Sequence, residues 1–118
     1  VLDGDGSLLM NLGSLASIAH YAPDNYLLVI LDNCCYGSTG SQPSCTRLGT
    51  DLAAMARAAG VRRVRRAEGR EELAEALLEQ GVVVARVEAG NAHVPIISLS
   101  PKEILERFMR CVLSAPQS

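Results

Sequence analysis

The chain has 118 residues, enough for one small domain with a single hydrophobic core but too few for two. Hydrophobic residues make up 48% and charged residues 20% of it, and the formal net charge is -2, so neither a basic nucleic-acid-binding surface nor an acidic tail is indicated. Aromatic residues make up only 3%, and no tryptophan occurs, which argues against recognition by aromatic stacking.

The N-terminus has the character of the end of a buried strand. Val1 and Leu2 lead directly into a glycine turn, and because such a strand normally has partners before it, we expect upstream sequence to be missing. No signal-peptide pattern is present, and the longest apolar runs, at residues 26–31 and 82–87, fall far below the roughly 20 residues of a membrane-spanning helix. We therefore expect a cytoplasmic protein without a membrane span.

Strand and helix signals alternate through the first half of the chain. Apolar residues at helical spacing predict a helix over residues 7–21, with Ser7 as its N-cap. The continuous apolar run at residues 26–31 predicts a strand that is buried on both faces. Residues 32–45 are rich in Gly, Ser, Asn and Pro and predict a long loop, which in a compact domain is usually functional.

The second half of the chain continues the alternation. The patterns predict, in order, a helix at 51–59, a strand at 61–64, a helix at 69–80, a strand at 82–87 and a last helix to about residue 113. Ser100 caps that last helix, with Glu103 completing a capping box. This order predicts an α/β fold of the doubly wound kind, with a mostly parallel sheet flanked by helices.

Two of the predicted strands are followed by glycine and polar residues. Gly4, Asp5 and Gly6 follow the first, and Asp32 and Asn33 follow the second. Ligands of open parallel sheets bind outside the carboxyl ends of the strands, so the two turns would converge if their strands are close. Glycines let the backbone approach a phosphate, and carboxylate and amide oxygens suit Mg²⁺ or Ca²⁺. The alternative is that each motif is only a tight turn.

The four cysteines do not have the spacing of a zinc site. The favoured interpretation is buried free thiols at Cys34, Cys35, Cys45 and Cys111. A disulfide from Cys34 or Cys35 to Cys45 is the alternative, although it would be unusual in the cytosol.

Three other features have an ordinary and a functional interpretation. His20 lies near the C-terminal end of the first predicted helix, where a partly exposed histidine interacts favourably with the helix dipole. His93, in a loop, is either an ordinary loop residue or approaches a substrate or partner. The basic residues at 62–66 are predicted to protect a solvated strand edge, with an anionic substrate or partner as the alternative.

Taken together, the two turns resemble the cofactor motif of the thiamine diphosphate (TPP) enzymes, which opens with Gly-Asp-Gly and closes with Asn-Asn or a similar pair. Residues 4–7 stand at one end of this motif and Asp32-Asn33 at the other, with Asp32 in place of the first Asn. The resemblance is to the sulfopyruvate decarboxylase β subunits and phosphonopyruvate decarboxylases in particular. It extends over nearly the whole chain, at residues 4–19, 28–33, 36–43, 51–60 and 91–108.

The resemblance implies that residues 1–118 are a diphosphate-binding domain, truncated at its N-terminus, which binds TPP and Mg²⁺. Asp5 and Asn33 would ligate the metal through their side chains, and Cys35 through its backbone carbonyl. Cys34 occupies a position where relatives often have glycine. The implied cofactor-binding residues are Gly4, Asp5, Gly6, Ser7, Asn33, Cys35, Tyr36 and Gly37.

The resemblance also implies that the active site is shared. In these enzymes the glutamate that activates the cofactor lies on a pyrimidine-binding domain or separate α subunit, so no catalytic residue is expected in this chain, and a hetero- or homo-oligomer is expected. The implied reaction is decarboxylation of a small anionic 2-oxo acid, either 3-sulfopyruvate, in coenzyme M biosynthesis, or phosphonopyruvate. The alternatives are a fragment of another TPP enzyme, such as an acetolactate-synthase-like one, and a non-catalytic α/β assembly domain.

Overall fold

The computed structural model describes residues 1–90 and 94–114. In chain order its elements are β1 (Leu2–Gly4), α1 (Asp5–Met10), α2 (Ser14–Tyr21), β2 (Leu27–Asp32), β3 (Cys35–Tyr36), β4 (Gln42–Pro43), a 3₁₀ helix (Cys45–Leu48), α3 (Leu52–Ala58), β5 (Val64–Ala67), α4 (Arg70–Ala76), β6 (Gly81–Arg86) and α5 (Pro101–Ser114). The alternation of strands and helices follows the predicted order.

The main sheet has four strands in the order β1-β2-β6-β5, and every neighbouring pair is parallel. Parallel strands place their carboxyl ends at one edge of the sheet, so β1, β2 and β6 deliver the residues that follow them to a common place. Gly81 opens β6 with φ +124°, and a Cβ there would lie 2.3 Å from the carbonyl oxygen of Arg63, so the register of β6 depends on glycine.

Helices pack on both faces of this sheet. On one face, Leu28 and Ile30 of β2 join the core formed with α1, α2 and α3. On the other face, Leu27 and Leu31 pack with residues of α4 and β6. The opposite orientation of successive strand residues explains why an unbroken apolar run is needed in β2. The predicted mostly parallel α/β sheet flanked by helices is confirmed.

The predicted helix over residues 7–21 is wrong in detail, because the chain forms two helices there. α1 begins at Asp5 with Gly4 in the N-cap position, so Ser7 lies inside the helix and does not cap it. Asn11, with φ -146°, ends α1, and its carbonyl oxygen accepts a hydrogen bond from the hydroxyl of Ser14, where α2 starts. Asn and Gly are weak helix formers, and both occur at this break. His20 lies exposed in the last turn of α2, as predicted.

Two other regions differ from the predicted boundaries. The strand predicted at residues 61–64 is found as β5 at Val64–Ala67, and Val61 lies before it, in the core that contains residues of α3. The predicted long loop at 32–45 contains structure of its own, a short antiparallel hairpin in which β3 pairs with β4. The 3₁₀ helix then begins at Cys45.

α5 is strongly amphipathic and has no buried residue. Its predicted capping box is present, since the Ser100 amide donates to Glu103 at 2.7 Å and the Glu103 amide donates back to the Ser100 hydroxyl at 3.3 Å. Several large apolar side chains of this helix are exposed, among them Leu105 and Phe108. Among the described residues, no helix is long and apolar enough to cross a membrane. The cytoplasmic location stays a prediction.

All four cysteines are free. Cys34 and Cys35 are buried, as predicted, but Cys45 and Cys111 are exposed, so the prediction of buried thiols is wrong for those two. The alternative disulfide to Cys45 is not formed. Cys45 is exposed because it is the first residue of the 3₁₀ helix, on the outer side of the loop.

Candidate functional site

A cavity of about 870 Å³ opens at the carboxyl edge of the sheet, around the ends of β1, β2 and β6. Its volume lies within the range of small-molecule sites. The structure thus brings the two turns together, as their positions after neighbouring parallel strands predict. Seven of the eight predicted site residues line this cavity: Gly4, Asp5, Gly6, Ser7, Asn33, Cys35 and Gly37.

Tyr36 is the predicted residue that does not line the cavity. Its ring lies against Gly6 instead, where a Cβ on Gly6 would come within 2.6 Å of a ring carbon. The second glycine of the Gly-Asp-Gly turn is therefore needed for packing between α1 and the β3–β4 hairpin, besides any approach to a ligand.

Other lining residues come from positions that the sequence analysis did not single out. They include Asp3, Ser38 and the segment 88–90, which follows β6. The side-chain amide of Asn33 donates to the carbonyl oxygen of Gly90 at 3.1 Å. This segment therefore also orients the side chain of Asn33, one of the predicted metal-binding residues. Ligands bind at the carboxyl ends of parallel strands, and applying this rule to β6 as well would have predicted that segment 88–90 belongs to the site.

Asp5 is buried to 1% exposure at the start of α1. Its Oδ2 accepts hydrogen bonds from the hydroxyls of Ser44, at 2.5 Å, and Thr46, at 3.1 Å. No lysine, arginine or histidine in the described part of the chain forms an ion pair with it. A buried carboxylate without a cation is costly, so this environment favours a bound positive ion.

Asp32 is also buried, to 6% exposure, but it has an internal cation. Its Oδ2 accepts from the guanidinium of Arg86 at 3.1 Å, while Oδ1 accepts from the Thr46 hydroxyl at 2.7 Å and from the Cys34 amide at 3.1 Å. Asp32 therefore organises the turn and is satisfied within the protein. The sequence offered no signal for this pairing, since Arg86 is 54 residues away along the chain.

The turn after β2 has an unusual backbone at Cys34, whose φ of +60° is in the left-handed region. Glycine adopts this region without strain, whereas a residue with a Cβ such as Cys34 does so at a cost. Burial raises the pKa of the Cys34 thiol, an effect that the hydroxyl of Thr46 partly offsets. Next in the turn, Asn33 Oδ1 accepts from the Cys35 amide at 3.2 Å.

The donor atoms around the cavity suit a hard divalent cation. Asp5 supplies carboxylate oxygen, Asn33 supplies an amide oxygen with a second lone pair, and Cys35 lines the same wall. The described residues contain no cluster of three or more His, Cys, Asp or Glu side chains that could hold a metal ion by themselves. A hard cation at this wall would therefore need the Asn33 amide, and oxygens of the diphosphate or of water, in addition to Asp5.

The charges of the cavity lining support the same assignment. Carboxylates of Asp3, Asp5 and Glu88 line it, and the described lining includes no basic side chain. A diphosphate alone would be repelled by this wall, whereas a divalent cation would be attracted to it and would then bind the anion. The residues present thus fit a metal and diphosphate bound together.

A smaller cavity of about 350 Å³ lies on the other side of Asp32. Two ion pairs border it, Asp32 with Arg86 and Asp51 with Arg66, and Glu68 adds a further carboxylate. None of the eight predicted site residues lines it. The cluster at 62–66 lies along the edge strand β5, and its Arg65 pairs with Glu79, as expected of a solvated strand edge. His93 lies outside the described residues.

Residues 1–87 match the family described as thiamine pyrophosphate enzyme, C-terminal TPP binding domain. The chain is 46% identical over 120 residues to the sulfopyruvate decarboxylase subunit beta of Methanothermobacter thermautotrophicus, covering 99% of this chain and 63% of that protein. It is 44% identical over 126 residues to the phosphonopyruvate decarboxylase of Streptomyces viridochromogenes, covering 98% of this chain and 31% of that protein.

A solved structure from Mycobacterium smegmatis, provisionally assigned as a thiamin diphosphate-dependent enzyme, has the same fold over 77% of this chain. Its TM-score is 0.50 and its identity 24%, and the match covers 17% of that protein. The chain also matches a sulfopyruvate decarboxylase subunit beta of Methanococcus maripaludis at 43% identity, over 62% of that protein's length. The chain thus spans less than two thirds of these relatives.

Proposed function

We propose that this chain, which belongs to the thiamine pyrophosphate enzymes as a C-terminal TPP-binding domain, binds the diphosphate end of TPP together with Mg²⁺ in the 870 Å³ cavity. The observation that carries the proposal is Asp5, a buried carboxylate at the cavity wall without a cationic partner in the described chain. A divalent cation there would compensate its charge and would allow a diphosphate to bind to an otherwise acidic wall.

Each of the predicted residues has a role in this proposal. Asp5 and Asn33 ligate Mg²⁺ through side-chain oxygens, and Cys35 does so through its carbonyl. The backbone amides of Gly6 and Ser7, in the first turn of α1, have no acceptor inside the helix and donate to the diphosphate. Gly4 and Gly37 shape the surrounding wall, and Tyr36 supports it by packing against Gly6.

The proposed reaction is the decarboxylation of a small anionic 2-oxo acid, with 3-sulfopyruvate or phosphonopyruvate as the substrate. TPP supplies an electron sink for the bond that breaks when CO₂ leaves. The role of this chain is to hold the cofactor and neutralise its diphosphate. Since the described lining lacks basic residues, recognition of the sulfonate or phosphonate falls to groups outside this cavity wall.

The partner in this proposal is a pyrimidine-binding α subunit or domain that carries the activating glutamate, in a hetero- or homo-oligomer. The name subunit beta of the archaeal relatives supports a second kind of chain in their complexes. None of the glutamates on α4 lines the cavity, and Glu88 is the glutamate of the described residues that does.

Calorimetric titration of TPP into the complete protein with its partner tests cofactor binding. We expect saturable binding with Mg²⁺, and a loss of about 100-fold or more in affinity after chelation or in Asp5→Asn, because the anion then faces uncompensated carboxylates. Asp24→Asn, at an exposed site outside the cavity, is the matched control and should bind as the wild type does. Equal affinity in Asp5→Asn and wild type would reject the proposed site.

CO₂ release from 3-sulfopyruvate, phosphonopyruvate and pyruvate, measured with the same complex, tests the reaction. Preference for either anionic substrate supports the proposal. Carbon–carbon bond formation from two pyruvate molecules would point to an acetolactate-synthase-like enzyme. Absence of TPP binding in the intact complex would favour a non-catalytic assembly domain.

A further inference from the structure

Two hydroxyl side chains, Ser44 and Thr46, lie behind the proposed metal ligand Asp5. Ser44 is fully buried and Thr46 nearly so, although both belong to the polar segment that follows the β3–β4 hairpin. A buried hydroxyl requires hydrogen-bond partners, and in a loop these are ordinarily backbone groups nearby. Here both hydroxyls contact a carboxylate about 40 residues away along the chain.

Both hydroxyls contact the same carboxylate oxygen of Asp5. The hydrogen bonds from Ser44 and Thr46 both end on Oδ2, and every buried side-chain oxygen or nitrogen in the described residues has a partner. Asp5 itself lines the large cavity. Two hydrogen bonds on one oxygen oppose rotation of this carboxylate, so its orientation at the cavity wall is held from within the protein.

Ser44 and Thr46 do not contribute equally. Each hydroxyl has one proton to donate. Thr46 lies 2.7 Å from Asp32 and 3.1 Å from Asp5, whereas Ser44 lies 2.5 Å from Asp5 and does not contact Asp32. The proton of Thr46 therefore serves mainly Asp32, and Ser44 is the principal donor to Asp5. The two hydroxyls lie 2.9 Å apart, which links both carboxylates into one network.

The backbone explains why Ser44 can reach so deeply. Its amide donates to the carbonyl oxygen of Cys34 at 3.1 Å, which ties the end of the hairpin to the turn after β2. It also occupies the N-cap position of the 3₁₀ helix, but its hydroxyl makes no capping bond there. The usual local use of such a serine is thus absent, and its hydroxyl is directed to Asp5 instead.

We propose that Ser44, supported by Thr46, is a positioning residue that fixes the carboxylate of Asp5 for metal binding. The inference rests on the proposed function, because the metal is Mg²⁺ of the TPP site. Neither hydroxyl contacts the metal or substrate. Hydrogen-bond partners that orient metal ligands typically change metal affinity by about 10–100-fold when they are removed.

The test measures Mn²⁺ binding by electron paramagnetic resonance in the complete protein with its partner and saturating TPP. We expect Ser44→Ala to raise the half-saturating Mn²⁺ concentration about 10–100-fold, and Thr46→Val to raise it less. Thr46→Ser keeps the hydroxyl and should return the value to near that of the wild type. Thr39→Val, which removes an exposed hydroxyl of the same hairpin, is the matched control and should have no effect.

A second readout separates positioning from a structural role. The turnover number at saturating Mg²⁺ should stay close to that of the wild type in Ser44→Ala, while the Mg²⁺ needed for half-maximal rate rises. A fall in turnover number without a shift in metal dependence would overturn the inference. If Ser44→Ala fails to fold, the pair Thr46→Val and Thr46→Ser decides, since equal Mn²⁺ binding in both would overturn it as well.

Different experimental results would reject this inference and the proposed function. A wild-type complex that binds neither TPP nor Mn²⁺ rejects both. A wild-type complex that binds them, with a folded Ser44→Ala variant that binds Mn²⁺ equally well, rejects the positioning role alone.

Discussion

The ends of β1 and β2 each carry a buried aspartate at the same edge of the sheet, but the two carboxylates have different hydrogen-bond and charge partners. Asp32 has the guanidinium of Arg86 beside it, in addition to hydroxyl and amide donors. Within residues 1–90 and 94–114, the carboxylate of Asp5 has the hydroxyls of Ser44 and Thr46 beside it and no cation. Both residues belong to the same sequence motif, and neither their burial nor their residue type distinguishes them.

This difference distinguishes a carboxylate that stabilises its own turn, Asp32, from the proposed metal ligand, Asp5. An internal cation compensates Asp32, so its turn is stable before anything binds. Asp5 has no such internal cation at the wall of the cavity, so a cation bound there would add binding energy. The charge environment, more than the motif, therefore favours Asp5 over Asp32 as the proposed metal ligand.

Asp5→Asn tests the ligand side of the comparison and has the largest expected effect. Mg²⁺ and TPP at about 100 times their dissociation constant should raise the unfolding free energy of the wild-type complex by about 2.7 kcal/mol. The variant should show almost none of this increase, and its ligand-free stability should not fall, because a buried amide costs less than an uncompensated carboxylate. Urea unfolding with and without both ligands measures each quantity. A marked loss of ligand-free stability would contradict the comparison.

Arg86→Ala tests the structural side. Leaving Asp32 buried without its cation should lower the unfolding free energy of the complete protein by about 2 kcal/mol, less than for a fully buried pair because Arg86 is half exposed. Adding Asp32→Asn should recover most of the loss, since the charge is then gone. Arg110→Ala, on exposed α5, serves as the control. If the double variant were no more stable than Arg86→Ala, the assigned role of Arg86 would be wrong.

Asp51 extends the comparison to an exposed aspartate. Its side chain caps α3 by accepting from the Ala54 amide at 3.0 Å, and this bond, together with Arg66, holds the pKa of its carboxyl below the ordinary value. We expect Asp51→Ala to cost about 1 kcal/mol near neutral pH. A depressed pKa stabilises the fold above the ordinary value of about 3.9, and the effect is lost as the pH falls through the lowered pKa.

Urea unfolding of wild type and Asp51→Ala over a range of pH measures this effect. The difference between them should be constant near neutral pH and should shrink under strongly acidic conditions. A difference that grew as the pH fell would show that the neutral carboxyl contributes more than the carboxylate.

Arg66→Ala should have the smallest effect. Arg66 pairs with Asp51 as Arg86 pairs with Asp32, but both partners of the outer pair are substantially exposed. Surface pairs of this kind contribute about 0.2–1 kcal/mol, because water screens the attraction and ordering the side chains costs entropy. Denaturant midpoints of Arg66→Ala and Arg86→Ala, compared directly, test the contrast. Equal losses would mean that burial of Asp32 does not govern the strength of its pair.

Much of this arrangement could be predicted from the sequence. The apolar run of β2 indicated a strand buried on both faces, and parallel strands necessarily bring their carboxyl ends to one edge. Those two facts predicted that Asp5 and Asn33 would converge if β1 and β2 were close, and the two strands are neighbours in the sheet. The resemblance to TPP enzymes then proposed their roles, and the structure places both at the wall of one cavity.

The remainder depended on tertiary contacts, which local patterns do not encode. The break between α1 and α2 was missed because Leu8 and Leu15 keep the same apolar periodicity across it and pack into one core. Ser44 and Thr46 looked like ordinary loop residues, since nothing in the segment indicates a partner at Asp5. The hairpin formed by β3 and β4 was missed because two-residue strands carry no period.

The pairing of Asp32 with Arg86 also restricts which single substitutions the turn after β2 can accept. An asparagine at position 32 would leave Arg86 without its carboxylate at little cost, because the half-exposed arginine side chain can remain hydrated. Loss of the arginine alone would leave the buried Asp32 carboxylate without a cation, with only hydroxyl and amide donors beside it. Tolerance at the two positions is therefore asymmetric, since a change at position 32 makes a change at position 86 acceptable and the reverse does not hold.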